Sequence, residues 1–299
     1  MPRPRYNAPV NDTFLAKLHT AAEEHKSLVC VGLDPDPTLM PVPADQVTQF
    51  CQRIIDATAD LVCAFKPNIA FFEALGRPGI DALIDVLASI PPEVPVIIDA
   101  KRGDIGNSAA GYAHYLFDVL GADAATVNPY GGTDAVEPFL DYEDKGVIVW
   151  CRSSNPSAID FQDLEVNDKG KKRPFWQAVA LKSREWNRKH GNVGLVMGAT
   201  YPAQLAEARQ LCPDMPILVP GIGAQEGALK DAVQAGLDAA NAGIIVNASR
   251  SVLYASRDAD YALAARAATA LLREHINRYR EEPSFPAGVQ AGGDDNADC

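Results

Sequence analysis

The chain has no CxxC pair, no long apolar run and no excess of basic charge. Its six cysteines (Cys30, Cys51, Cys63, Cys151, Cys212 and Cys299) are scattered, and Cys30, Cys63 and Cys151 sit inside apolar runs. This is the pattern of buried thiols in a reducing cytosol, each acting as a small hydrophobe. There is no N-terminal apolar segment of the signal-peptide kind and no run approaching a membrane span. The protein is therefore expected to be soluble and cytoplasmic, with no membrane partner. Lys and Arg number 27 against 39 Asp and Glu, a formal net charge of -12. That disfavours nucleic-acid binding through a basic face, yet leaves room for small anionic substrates, which need only a local cationic pocket. No GxGxxG follows the first apolar run, which counts against a dinucleotide-binding fold.

What is present is a repeat. Apolar, β-branched runs of strand length occur at 27–34, 61–68, 94–101, 123–129, 146–152, 192–198, 216–221 and 243–249. Helical stretches lie between them, among them "ADQVTQFCQRIIDATA", "NSAAGYAHYLFDVLG", "FWQAVALKSREWNRKHG" and "PAQLAEARQLC", and "DADYALAARAATALLREHINRYR" closes the series. Unbroken apolar strands alternating with amphipathic helices predict a parallel sheet covered by helices. Eight such units in roughly 250 residues match a single-domain α/β (β/α)8 TIM barrel, with a doubly wound open sheet as the alternative. The expected organisation is a loose arm over 1–11, the barrel over 12–280 and a disordered tail over 281–299, rich in Gly, Pro and Asp.

Barrel active sites lie at the C-terminal ends of the strands. Here those ends carry Asp34, Lys66 with Asn68, Asp99 with Lys101, Asn128, Arg152 with Ser154, Thr200, a "PGIG" turn, and Ser249 with Arg250. In "VIIDAKRGDIGNS", Asp99 and Lys101 are two apart and on a strand point the same way. Asp104 comes within reach of Lys101 if the loop curls. An acid-base-acid row fixes a lysine as an ammonium able to protonate a carbanion, and its acids disfavour a neighbouring carboxylate. A structural ion-pair network would look similar, but Lys66 points into the same mouth. "VPGIGAQEG" offers a Gly-rich turn into a helix start, with Gln225 as amide donor, and Arg250 at the next strand end supplies a planar fork for phosphate. The five histidines lie in helical or terminal stretches, and no Ser–His–Asp or Cys–His arrangement emerges. Asp34 and Asp99 could ligate a metal, although Lys66 and Lys101 already bring positive charge to that spot.

"DAKRGDIGNS" resembles the signature of the orotidine 5'-phosphate decarboxylase family, in its longer bacterial-type form, and "VGLDPD", "FKPNIAFFEALG", "RSSNPSAIDFQ", "VPGIGAQEG" and "NASRSVLY" resemble its other blocks, in order. The resemblance spans about residues 12–278. It implies cofactor-free, metal-free conversion of orotidine 5'-phosphate to UMP and carbon dioxide, the last step of UMP synthesis. It also implies that Lys101 protonates carbon 6, that Asp99 stands beside the scissile carboxylate, and that Lys66 completes the array with Asp104 supplied by a second copy of the chain. Asp34 and Lys66 match ribose contacts, Ser154 the reader of the pyrimidine edge, and Gln225 with Arg250 the phosphate grip. Ser108 stands where threonine is usual and keeps the hydroxyl for a ribose or cross-subunit contact. In the loop 153–175 only the start matches. Two rivals are a magnesium-dependent sugar-phosphate decarboxylase or aldolase, in which the resemblance implies an acid at the place of Lys66, and a catalytically silent phosphoribosyl-ligand sensor.

Overall fold

The computed structural model describes residues 13–221 and 226–282. All eight expected strands form: β1 (Val29–Leu33), β2 (Ala64–Pro67), β3 (Ile97–Arg102), β4 (Ala124–Val127), β5 (Gly146–Arg152), β8 (Val193–Met197), β9 (Ile217–Val219) and β10 (Ile244–Ala248). They hydrogen-bond in parallel in the order β2-β1-β10-β9-β8-β5-β4-β3. The two end strands then meet through the parallel bridges Phe65↔Val96 and Asn68↔Asp99, so the sheet curls onto itself as a barrel. The continuous apolar runs are explained by this closure, because each strand is buried on its inner face and beneath a helix on its outer face.

Each strand sends one residue into the inner cluster: Cys30, Ala64, Ile97, Ala124, Ile148, Val196, Leu218 and Ile245. The N-terminal end of this cluster is stoppered by Phe14 and Leu18 of α1 (Phe14–Glu24). Gly146 has to be glycine there, since a Cβ would stand 2.3 Å from the Phe14 ring. Two residues further along, in six of the eight strands, the inward series changes character, to Gly32, Lys66, Asp99, Thr126, Trp150 and Asn247. The period of two that builds an apolar core at one end therefore builds a polar floor at the other.

Outside the barrel lie α2 (Val47–Thr58), α3 (Ile69–Glu73), α4 (Arg77–Ser89), α5 (Gly106–His114), α6 (Thr133–Leu140), α7 (Phe175–His190), α8 (Pro202–Leu211), α9 (Glu226–Gly236), α10 (Arg250–Leu253) and α11 (Tyr261–Glu281). The long loop after β5 holds an antiparallel hairpin, β6 (Glu165–Asp168) and β7 (Lys171–Pro174). Its two-residue turn, Lys169 and Gly170, has both φ values positive, the geometry of a primed turn. The hairpin is tied to α7 by Lys169 Nζ to Glu185 Oε1 at 2.7 Å. Among the described residues no helix is long and apolar enough to cross a membrane. Among the described residues five cysteines are buried and free. Burial pushes the Cys30 thiol up to about 12 and that of Cys212 to about 11, which suits packing rather than reactivity.

Candidate active site

The end of β3 does not run as a plain strand. Its register against β4 passes from Ile98↔Ala125 to Arg102↔Val127, so a bulge spans Asp99–Lys101. Lys101 takes a φ of +44°, a left-handed conformation that costs a side-chain-bearing residue roughly 1–2 kcal/mol. Thr126 makes the bulge tenable. Its Oγ1 accepts from the backbone N–H of Ala100 (3.0 Å) and of Lys101 (2.9 Å), and its hydroxyl donates to Asp99 Oδ1 (2.9 Å). Strand alternation alone was expected to align Asp99 with Lys101; it is the bulge that turns the lysine back onto the acid. Arg102, the next charge along, faces away and pairs with Glu73.

Two ammonium groups share Asp99. Lys101 Nζ donates to Oδ1 at 2.5 Å, and Lys66 Nζ to Oδ2 at 3.2 Å. The Lys66 side chain is only 3% exposed, so its charge persists by pairing rather than by hydration. Burial favours the neutral form of Asp99, but the charges of Lys66 and Lys101, with hydrogen bonds from Lys101 and Thr126, hold its carboxyl well below the usual range. For Lys66 burial acts against the charge, and the fields of Asp99 and Asp34 outweigh it and raise its pKa. Both shifts favour the charged forms of Asp99 and Lys66. The Lys101 ammonium also lies 5.9 Å from the centre of the Trp150 ring.

Lys66 and Asp99 help to line a cavity of about 460 Å³ at the C-terminal mouth of the barrel, together with Asp34, Gly221, Asn247, Ser249, Arg250 and Tyr254. The Tyr254 hydroxyl donates to the Asp34 carbonyl (2.8 Å) and accepts from the Asp36 N–H (2.6 Å), which pins the turn after β1. Asp34 Oδ1 is buried in this wall with no hydrogen-bond partner among the described residues. Arg250 opens α10 on the rim and is exposed. Ser154 crosses the end of β8 where no side chain fits: a Cβ on Gly198 would stand 2.7 Å from the Ser154 backbone N. Its hydroxyl lies beside Gly221, 3.1 Å from where a Cβ would be.

Other expected residues fall elsewhere. Asp104 and Ser108 are exposed on the loop after β3 and the first turn of α5, and neither lines the cavity. Asp104 accepts from the Ile105 N–H at 2.7 Å, and no hydrogen bond joins it to Lys101 in the same chain. Gln225 lies outside the described residues. Asn68 caps α3 by accepting from the Ala70 N–H, and Asn128 accepts from the Tyr130 N–H, so both serve turns. Arg152 is buried, forks onto Asp163 at 3.0 and 2.7 Å and stacks on Tyr201, which anchors the long loop. Thr126, Asn247 and Tyr254 were not singled out from the sequence. The first two are findable by counting inward positions back from the strand end. Among the described residues no three His, Cys, Asp or Glu side chains gather so as to hold a metal ion.

Comparison with known proteins matches residues 27–266 to the orotidine 5'-phosphate decarboxylase / HUMPS family. The orotidine 5'-phosphate decarboxylase of Thermomicrobium roseum is 50% identical over 280 residues, covering 92% of this chain and 99% of its own. That of Aromatoleum aromaticum is 50% identical over 272 residues, covering 89% and 99%. The structure of Leishmania donovani OMP decarboxylase superimposes with a TM-score of 0.79 at 42% identity, covering 90% of this chain and 99% of its own. With its eight-stranded barrel and its paired lysines on one buried aspartate, the chain belongs to the orotidine 5'-phosphate decarboxylase / HUMPS family.

Proposed function

We propose that the protein decarboxylates orotidine 5'-phosphate to UMP and carbon dioxide, as a cytoplasmic carboxy-lyase of pyrimidine synthesis, and that Lys101 is its proton donor. The observation that carries this reading is the trio Lys66–Asp99–Lys101, in which two lysines pair with one aspartate and Lys66 and Asp99 line the cavity that Arg250 rims. Loss of carbon dioxide leaves an electron pair on carbon 6 of the pyrimidine. A fixed ammonium there meets that charge as it develops and then delivers the proton. Asp99 holds the ammonium in place and sets negative charge beside the substrate carboxylate. General-acid donation contributes typically ~10²–10⁴-fold. The remainder comes from preorganised charge and from phosphate binding at Arg250 and Gln225, spent on assembling the site. Asp34 and Lys66 take the ribose and Ser154 the pyrimidine edge.

Asp104 belongs to this reading as a residue lent to a second copy. It is exposed, as are its neighbour Ile105 (63% exposed) and Tyr130 (85% exposed) on the loop after β4, which supports a homodimer in which Asp104 meets the partner's site. Ser108, exposed in the first turn of α5, would reach across with it. The magnesium-dependent rival needs an acid at position 66, and the lysine found there is already ion-paired. The test is Lys101→Ala. Asp99 keeps Lys66 as a partner, so the variant should melt like wild type while turnover of orotidine 5'-phosphate collapses by at least ~10²-fold. Near-normal turnover in a natively folded variant would remove Lys101 from the role.

A further inference from the structure

Asn247 ends the inward series of β10. It is 6% exposed and lines the cavity beside Asp34 and Lys66. Its Nδ2 donates to Ser249 Oγ at 3.3 Å, which leaves Oδ1 as the free end of the amide. That oxygen is buried and has no hydrogen-bond partner among the described residues, and the same is true of Asp34 Oδ1. Space is kept above β1 by Gly32, where a Cβ would stand 3.2 Å from Asn247 Oδ1 and 2.0 Å from Ser249 Oγ. Buried polar atoms in native proteins find partners, so two orphaned acceptors in one wall call for a ligand that brings donors. Lys66 stands alongside with hydrogens that a hydroxyl oxygen can accept, beyond the one given to Asp99. Two acceptors and an ammonium lining one cavity suit a vicinal diol, whose hydroxyls each donate once and accept once.

We infer that Asn247 is a further substrate-binding residue, whose amide oxygen accepts a hydrogen bond from a ribose hydroxyl of the nucleotide. This rests on the decarboxylase reading and extends it to a residue on a strand that otherwise supplies only the phosphate grip. It makes Asn247 a determinant of sugar specificity. A site built around an acceptor discriminates against a sugar that lacks the matching hydroxyl, because the oxygen is then left buried and unpaired.

The test compares kcat/KM for orotidine 5'-phosphate with that for its 2'-deoxy and 3'-deoxy analogues, in wild type and in Asn247→Ala. Each ratio is taken within one preparation, so a partly unfolded sample leaves it unchanged. Asn247→Leu, which keeps the branching and removes the amide, gives the same comparison if the alanine variant does not fold. The expected result is that preference for the ribonucleotide over at least one deoxy analogue falls on the order of tenfold, the worth of one buried hydrogen bond. Equal losses on all three substrates, as a water held between Asn247 and Asp34 would give, overturn the assignment alone. No turnover by wild type overturns the decarboxylase reading and the assignment with it.

Discussion

Asp99 carries the residue-scale chemistry, because one buried carboxylate organises two cations. Its folded pKa is depressed below the ordinary value of about 3.9. A depressed acid stabilises the fold above its unfolded pKa, and that contribution is lost as the pH falls through the folded value. Asp99→Asn is therefore expected to be less stable than wild type at neutral pH, with the gap closing as the pH drops below about 4. Denaturant titrations at several pH values check this, and a gap that widens on acidification contradicts it. The phosphate role proposed for Arg250 is separate from this trio. Arg250→Ala should lose most of the advantage that orotidine 5'-phosphate holds over phosphate-free orotidine, while the rate on orotidine itself stays near wild type. Equal loss on both substrates would assign Arg250 another task.

At the scale of elements, the bulge in β3 is the feature on which the site turns. It depends on Thr126, whose hydroxyl serves two amides and Asp99 at once. Thr126→Val keeps the shape and strands those groups, and should lower stability by about 1–3 kcal/mol and reduce kcat as Lys101 loses its anchor. Urea unfolding with wild-type midpoint and unchanged kcat would show the bulge to stand without it. The bulge was not legible in the sequence, since DAK reads equally well as plain alternation and nothing marks a lysine for positive φ. The eight strands were legible, because burial on both faces leaves an unbroken apolar run. Their ends are legible as polar residues, which include the inward Lys66 and Asp99 of β2 and β3 but miss the inward residues of β4 and β10. Asn128 was read where Thr126 matters, and Arg152 turned out to be an anchor for the loop. The β6–β7 hairpin escaped because its residues are almost all charged or exposed, so no apolar alternation announced it. The role of α1 also depends on a distant partner. Phe14 and Leu18 look like any amphipathic pair until Gly146 is seen to make room for them.

At the scale of the whole molecule, Asp104 stays exposed and apart from Lys101 in its own chain, which a site completed by a second chain accounts for. Co-refolding Lys101→Ala with Asp104→Ala tests the arrangement. If Asp104 acts across a two-fold interface, a mixed dimer has one site with both lesions and one intact site. Random pairing makes about half of the dimers mixed, so about a quarter of wild-type activity should return. A mixture shown to contain mixed dimers yet inactive would confine Asp104 to its own chain. The central claim is that this chain performs the decarboxylation with side chains alone, and turnover of orotidine 5'-phosphate by the purified wild-type protein in excess EDTA measures it directly. The account predicts steady loss of the orotidine 5'-phosphate ultraviolet absorbance with equimolar UMP, at the same rate with and without the chelator. Unchanged absorbance, or activity that disappears with EDTA and returns with magnesium, would contradict it.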